Sequence, residues 1–100
     1  MLKYLENNLK ELTQNKLVLL DFYASWCAPC HMLGHELEEL SDEKYDIVKI
    51  DIDENEQLAK EYGIMVVPTM IILNNGKVEK KVTGYHTKNQ ITELMNEYLK

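Results

Sequence analysis

A continuous apolar run that leads directly into a pair of cysteines constrains this chain more than any other feature of its sequence. From Leu17 to Ala24 only Asp21 is charged. Such a run is typical of a strand that is buried on both faces, as the strands of a parallel sheet are. Residues 28–40 follow with apolar positions at helical spacing, and Pro29 is tolerated in the first turn of a helix. A buried strand that turns at once into a helix predicts an α/β fold.

The rest of the pattern completes this interpretation. The Asn75-Gly76 pair is the one that a type I′ hairpin turn favours, and Gly63 is placed to end a short helix. The predicted elements are a helix over 2–14 from the spacing of its leucines, strands over 17–24 and 47–52, a helix over 55–62, hairpin strands over 70–73 and 77–82, and a last helix over about 87–99. The order α-β-α-β-α-β-β-α predicts one α/β domain over residues 1–100, whose sheet ends in an antiparallel hairpin.

Composition limits the classes of function. The chain has 100 residues, 45% of them hydrophobic, which is enough for one core. Its net charge is −6 and its basic residues are scattered, so a nucleic-acid partner is not expected. The sequence contains no export signal and no membrane-length apolar run, so we expect a soluble, cytoplasmic protein. In a reducing compartment its two cysteines are expected to be catalytic or metal-binding rather than structural.

The motif Cys27-Ala28-Pro29-Cys30 carries the predicted chemistry, because it lies at the start of a helix just after a strand. Ligands of open α/β sheets bind at the carboxyl ends of strands. The free N–H groups and partial positive charge of a helix N-terminus stabilise a thiolate at Cys27. A two-residue spacing lets the two sulfurs close a small ring, which Pro29 stiffens. The competing interpretation is that both cysteines simply pack as small hydrophobic residues.

Three segments resemble the thioredoxin family. Residues 21–30, Asp-Phe-Tyr-Ala-Ser-Trp-Cys-Ala-Pro-Cys, look like its active-site signature. Val67-Pro68-Thr69 looks like its cis-proline loop, and Gly84 falls where the family has a glycine near the site. The resemblance covers nearly the whole chain and implies a thioredoxin fold, with a central mixed sheet flanked by helices. The N-terminal segment is too short for the family's first strand and a full helix, so we expect that strand to be reduced or absent.

The resemblance also implies a mechanism. Cys27 would attack a protein disulfide, and Cys30 would resolve the mixed disulfide with Asp21 as its general base. Lys49 matches the family lysine that pairs with this aspartate. A carboxylate in an apolar strand should be desolvated and have a raised pKa. The alternatives are that Asp21 is solvated at the mouth of the strand and that Lys49 is an ordinary surface lysine.

The family's substrate groove maps onto a further set of residues. By resemblance, Val67 would offer backbone groups to an extended substrate beside a cis Pro68. The residues implied to bind substrate are Trp26, Ala28, Pro29, Val67, Pro68, Gly84 and Tyr85, although Tyr85 can also be read as an incidental exposed aromatic. The resemblance implies no bound cofactor, a monomer, protein disulfides as substrates, and electrons that come from NADPH through a thioredoxin reductase.

This sequence departs from the family pattern at three positions. Ala28 replaces the glycine that is commonest between the cysteines. His31 replaces a lysine or arginine and lies on the same helical face as Cys27, where it would be charged only part of the time near neutral pH. Gly34-His35 replaces a segment in which the family has a helix-kinking proline, so the bend is either missing or supplied by Gly34.

Parts of the sequence also fit three functions other than disulfide reduction. Cys27-Ala28-Pro29-Cys30-His31 matches the attachment motif of c-type haem, but such proteins mature outside the cytosol. A zinc site would draw on Cys27, Cys30 and His31 or His35, but no second ligand pair exists in the sequence. A binding module with the same fold and no turnover is disfavoured by the intact cysteine pair, Asp21 and Pro68.

Overall fold

The structure is a computed structural model that describes residues 1–6, 8–40 and 44–99. These residues form five strands and four helices. They are β1 (Leu2–Tyr4), α1 (Leu9–Thr13), β2 (Leu17–Tyr23), α2 (Ala28–Glu39), β3 (Asp46–Asp51), α3 (Glu56–Glu61), β4 (Thr69–Asn74), β5 (Lys77–Thr83) and α4 (Lys88–Asn96).

The strands form one mixed sheet in the order β1-β3-β2-β4-β5. β1 and β2 both pair parallel to β3, whereas β4 runs antiparallel to its two neighbours, β2 and β5. β2 therefore lies at the centre of the sheet and its side chains are covered on both faces, as its apolar run predicts. Asp21 pairs with Lys49 of β3 on one side and with Met70 of β4 on the other.

Each face of the sheet has its own apolar cluster. The cluster beneath α2 and α4 includes Leu19 and Met70 of the sheet with Leu33 and Ile91 of the helices. The opposite cluster is built around Phe22 and is covered by leucines of α1 and α3. Because side chains alternate between faces along a strand, Asp21 shares the face of Leu19, beneath α2.

The prediction of a helix over residues 2–14 is wrong for the first part of that segment. Leu2 to Tyr4 form the short strand β1, which pairs parallel with β3, and helix α1 begins only at Leu9. The leucines of this segment pack on two opposite faces of the sheet and do not form one face of a single helix. Leu2 packs on the cluster beneath α2, whereas Leu5, Leu9 and Leu12 pack on the opposite cluster. The first strand is thus present but reduced to three residues.

The predicted hairpin is confirmed. Asn75 and Gly76 have φ angles of 53° and 80°, the two positive values that a type I′ turn requires. β5 lies at the edge of the sheet, and its lysines are exposed there, where charge discourages further strand pairing.

Helix α2 brings the cysteine motif to the end of β2. Its N-cap is Cys27, and Pro29 lies in its first turn. The helix is continuous from Ala28 to Glu39, through Gly34 and His35. Among the described residues, no helix is both long and apolar enough to cross a bilayer.

Candidate active site

Cys27 and Cys30 form a disulfide at the N-terminus of α2. The Cys27 sulfur caps the helix, because it accepts a hydrogen bond from the backbone N–H of Cys30 at 3.2 Å. The exposed fraction is 6% for Cys27 and 3% for Cys30, so Cys27 is the more accessible of the two. A sulfur that accepts a helix N-terminal N–H gains most from that contact as a thiolate.

A loop that contains a cis peptide bond lies against the disulfide. The Val67–Pro68 bond is cis, as predicted. The carbonyl oxygen of Val67 lies 3.7 Å from Sγ of Cys27. Within the described residues, the backbone N–H of Val67 makes no hydrogen bond. The hydroxyl of Thr69 donates to the carbonyl of Val66 at 2.7 Å and holds the loop in shape.

The segment after β5 is hydrogen-bonded to this loop. The backbone N–H of Gly84 donates to the carbonyl of Pro68 at 2.8 Å, and the φ of Gly84 is 88°, in the region that favours glycine. Tyr85 follows and is exposed. Partial desolvation raises the pKa of its phenol, and the neighbouring Glu36 carboxylate raises it further.

Trp26 is the most exposed aromatic side chain of the site, with 70% of its surface accessible. Its indole Nε1–H donates to Oδ2 of Asp53 at 2.9 Å. Ala28 and Pro29 are also exposed in the first turn of α2. Sequence analysis missed Asp53, because this aspartate lies among several acidic residues and nothing local marks it as the partner of Trp26.

Asp21 is fully buried beneath α2, as predicted from its apolar strand. Burial raises the pKa of its carboxyl group to about 6, and the ammonium group of Lys49 partly opposes this rise. Nζ of Lys49 lies 3.5 Å from Oδ2 of Asp21. Neither carboxylate oxygen has a hydrogen-bond partner among the described residues. Lys49 is buried too, so the interpretation of it as an ordinary surface lysine is wrong.

A small cavity extends from the disulfide to Lys49, the ion-pair partner of the buried Asp21 carboxylate. Its volume is about 190 Å³, and both Cys30 and Lys49 belong to its wall. The remaining lining residues are Tyr4, Tyr23, Ala24, His31, Gly34, His35 and Glu38. The titratable side chains of α2 that line the cavity therefore border the same space as Cys30, the predicted resolving cysteine.

The two histidines that replace family residues have different environments. Nε2 of His31 lies 2.8 Å from the carbonyl oxygen of Ser25, two residues before Cys27. His35 is exposed on α2 and lines the cavity. In residues 1–6, 8–40 and 44–99, no three His, Cys, Asp or Glu side chains form a group that could hold a metal ion. Because Cys27 and Cys30 are bonded to each other, the haem and zinc interpretations are not favoured.

Comparisons with known proteins agree with this arrangement. The profile of the family named Thioredoxin matches residues 2–97. The chain is 40% identical over 102 residues to a thioredoxin of Bacillus subtilis, which covers 99% of this chain and 98% of that protein. It is 44% identical over 91 residues to a thioredoxin of Chlorobaculum thiosulfatiphilum, which covers 88% of this chain and 84% of that protein.

Solved structures show the same likeness. A mutant thioredoxin from Halobacterium salinarum superposes with a TM-score of 0.92 at 34% identity, over 99% of this chain and 91% of that one. The reduced thioredoxin pre-protein of Schistosoma mansoni superposes with a TM-score of 0.88 at 32% identity, over 98% of both chains.

Proposed function

This chain belongs to the thioredoxin family, and we propose that it reduces protein disulfides with Cys27 as the nucleophile and Cys30 as the resolving thiol. Its activity as a protein-disulfide oxidoreductase follows from the family and from the bonded cysteine pair. Members of this family need no bound cofactor. A binding module without turnover is not favoured, since the two cysteines lie at bonding distance.

One observation supports the assignment of Cys27 more than any other. Its sulfur accepts the N–H of Cys30 at the start of α2, and the same sulfur lies beside the carbonyl of Val67. An anion at this atom is favoured by the helix N-terminus. A substrate chain that pairs with the backbone of Val67 would bring its own disulfide against this sulfur, because the N–H of Val67 is available to it.

The reaction then has two exchange steps. The Cys27 thiolate attacks one sulfur of the substrate disulfide, a bond forms between them, and the other substrate sulfur leaves as a thiolate. The Cys30 thiolate then attacks Sγ of Cys27, the mixed disulfide breaks, and the second substrate thiolate leaves. Two electrons pass to the substrate, and Cys27 and Cys30 end as a disulfide.

Cys30 must lose its proton for the second step, and Asp21 is the proposed base. Its raised pKa, about 6, is matched to taking a proton near neutral pH. The cavity that Cys30 and Lys49 share supports a proton path through solvent rather than direct contact. Lys49 would limit the rise in the pKa of Asp21, so that the base is still ionised when it is needed.

The remaining parts of the proposal rest on the family. The groove would be formed by Trp26, Ala28, Pro29, Val67, Pro68, Gly84 and Tyr85. Electrons would come from NADPH through a thioredoxin reductase, and the protein would act as a cytoplasmic monomer. We infer that residues 1–100 form a single domain, which the two apolar clusters on one shared sheet support.

Trapping of mixed disulfides tests the assignment of the two cysteines. Cys30→Ser should accumulate a covalent complex with a test protein that contains disulfides, such as oxidised insulin, because Cys27 still attacks the disulfide and the resolving thiol is missing. Cys27→Ser should accumulate none. The complexes are counted on non-reducing gels, with the wild type in an insulin reduction assay as the reference. Trapping by Cys27→Ser instead would reverse the two roles.

A further inference from the structure

Lys49 occupies an unusual position for a lysine, with only 9% of the residue exposed. On β3 it lies between Tyr4 of β1 and Asp21 of β2, which are its direct partners in the two parallel pairings. Directly paired residues project from the same face of a sheet, so all three side chains lie on the face beneath α2. Tyr23, two residues after Asp21, projects from that face as well.

The Lys49 ammonium group is enclosed by groups that do not bond to it closely. Nζ lies 4.8 Å from the ring centre of Tyr23 and 5.7 Å from that of Tyr4, both within the range of cation–π attraction. It lies 3.5 Å from Asp21, which is longer than a charge-assisted hydrogen bond. Nothing in the described residues holds it by a short bond, so its position depends on the shape of the space around it.

Helix α2 closes that space from above at Gly34. A Cβ atom built on Gly34 would lie 3.1 Å from Nζ of Lys49, which is closer than ordinary van der Waals contact. Gly34 is buried and its backbone is helical, so it is not there to permit a turn. The absence of a side chain at this position leaves room for the charge between the helix and the sheet.

We propose that Gly34 is a positioning residue, whose missing side chain lets the Lys49 ammonium group lie between α2 and the sheet, against the Asp21 carboxylate. The effect of Gly34 on catalysis rests on the proposed function, because it requires that Asp21 is the base for Cys30. The position of the Lys49 ammonium group does not depend on that role.

An alanine at position 34 would displace the ammonium group. The open space beside Lys49 is the cavity of about 190 Å³, since Asp21 is fully buried on the other side. The charge would therefore retreat into the cavity and away from Asp21, and the carboxylate would lose part of the attraction that opposes its burial. The other ionisable groups that line this space are Tyr4, Tyr23, Cys30, His31, His35 and Glu38. The carboxylates of Asp51 and Glu54 act on Tyr23.

A carboxyl titration of Asp21 by ¹³C NMR tests this inference in two backgrounds. In otherwise wild-type protein, Gly34→Ala should raise the pKa of Asp21 by about 0.2–0.4 unit, as expected for a charge moved by a few tenths of an ångström. In the Lys49→Met background the same substitution should leave the pKa unchanged, because there is no charge to displace. Alanine favours a helix more than glycine does, so both variants should remain folded.

Two results would overturn the inference. One is an unchanged or lowered pKa of Asp21 in Gly34→Ala. The other is an equal rise with and without Lys49, which would mean that the substitution acts through the helix itself. The rate of the second exchange step, followed against pH, separates this inference from the proposed function. If the titration shifts and the rate profile does not follow, Asp21 is not the base, and the positioning of Lys49 by Gly34 still holds.

Discussion

The imidazole Nε2 of His31 lies 2.8 Å from the carbonyl oxygen of Ser25, two residues before Cys27. Because a carbonyl only accepts, Nε2 must carry the proton and donate it. Both the neutral tautomer protonated at Nε2 and the imidazolium can do so, and the bond survives a change in protonation. His31 thus ties the first turn of α2 to the segment that presents Trp26 and Cys27.

Replacing His31 with lysine should raise the reactivity of Cys27 slightly. A lysine carries a permanent charge one helical turn from the sulfur, but exposed charges in water interact by only about 0–1 kcal/mol. The alkylation rate of Cys27 in the reduced protein at about pH 6–7 should therefore rise by at most about fivefold. His35→Lys is the matched control, since it adds the same charge farther along α2. Equal rates in both variants would show that position 31 has no special influence.

His31→Ala should lower the free energy of unfolding and leave the exchange reaction unchanged. The substitution removes one exposed hydrogen bond, which contributes about 0.5 kcal/mol to the free energy of unfolding. Urea unfolding of the oxidised protein measures this difference. A variant as stable as the wild type would mean that the bond to Ser25 contributes nothing measurable.

Asp21→Asn should stabilise the protein at neutral pH and not in acid. The pKa of Asp21 is raised to about 6 in the folded protein, above its ordinary value of 3.8, so ionisation disfavours the folded state. That cost is absent below the unfolded pKa, grows as pH rises between the two values and is complete above the folded one. The gain from asparagine should reach about 2–3 kcal/mol at about pH 7.5.

Unfolding in urea at about pH 4 and pH 7.5 measures the gain, with Glu93→Gln as a control for the loss of an exposed carboxylate. Equal gains at the two pH values would contradict the burial of an ionised Asp21. The same Asp21→Asn variant should also be slower in the second exchange step, because Cys30 would lack its proposed base.

Gly84→Ala and Gly76→Ala form a matched pair. Both glycines have positive φ angles, 88° and 80°, and no atom lies within 4 Å of a Cβ built on either one. Each substitution should cost about 1–2 kcal/mol from backbone conformation alone. Only Gly84 donates to the carbonyl of Pro68, so only Gly84→Ala should also raise KM for a protein disulfide. Equal KM values in the two variants would show that backbone strain at position 84 does not disturb the groove.

Asp53→Ala should release the indole of Trp26. Losing a hydrogen bond of about 1 kcal/mol should raise KM for insulin up to about fivefold and shift the tryptophan fluorescence. Asp53→Asn keeps an acceptor oxygen and should behave like the wild type in both measurements. An unchanged KM in Asp53→Ala would mean that Trp26 keeps its orientation without this partner.

Much of this protein could be predicted from local patterns in its sequence. The apolar run of β2, the helical spacing of apolar positions over residues 28–40 and the Asn-Gly turn each depend on residues close together in the chain, which is why these patterns predict β2, α2 and the hairpin near their observed bounds. The cysteine pair at a helix start and the lone carboxylate of Asp21 in an apolar strand are local patterns too, and they indicate the residues that take part in the proposed thiol–disulfide exchange. Burial of that carboxylate followed from its neighbours alone.

Contacts between distant segments were decided only by the tertiary structure. Tyr4 meets Lys49 because β1 pairs with β3, and this pairing also overrode the helical spacing of the first leucines. Trp26 finds Asp53 across 27 positions of the chain, and Gly34 covers Lys49 because α2 crosses that part of the sheet. Periodicity reports which face of an element is apolar, but not which element will cover it. The electrostatic environment of Asp21, and with it the proposed proton transfer from Cys30, depends on that packing.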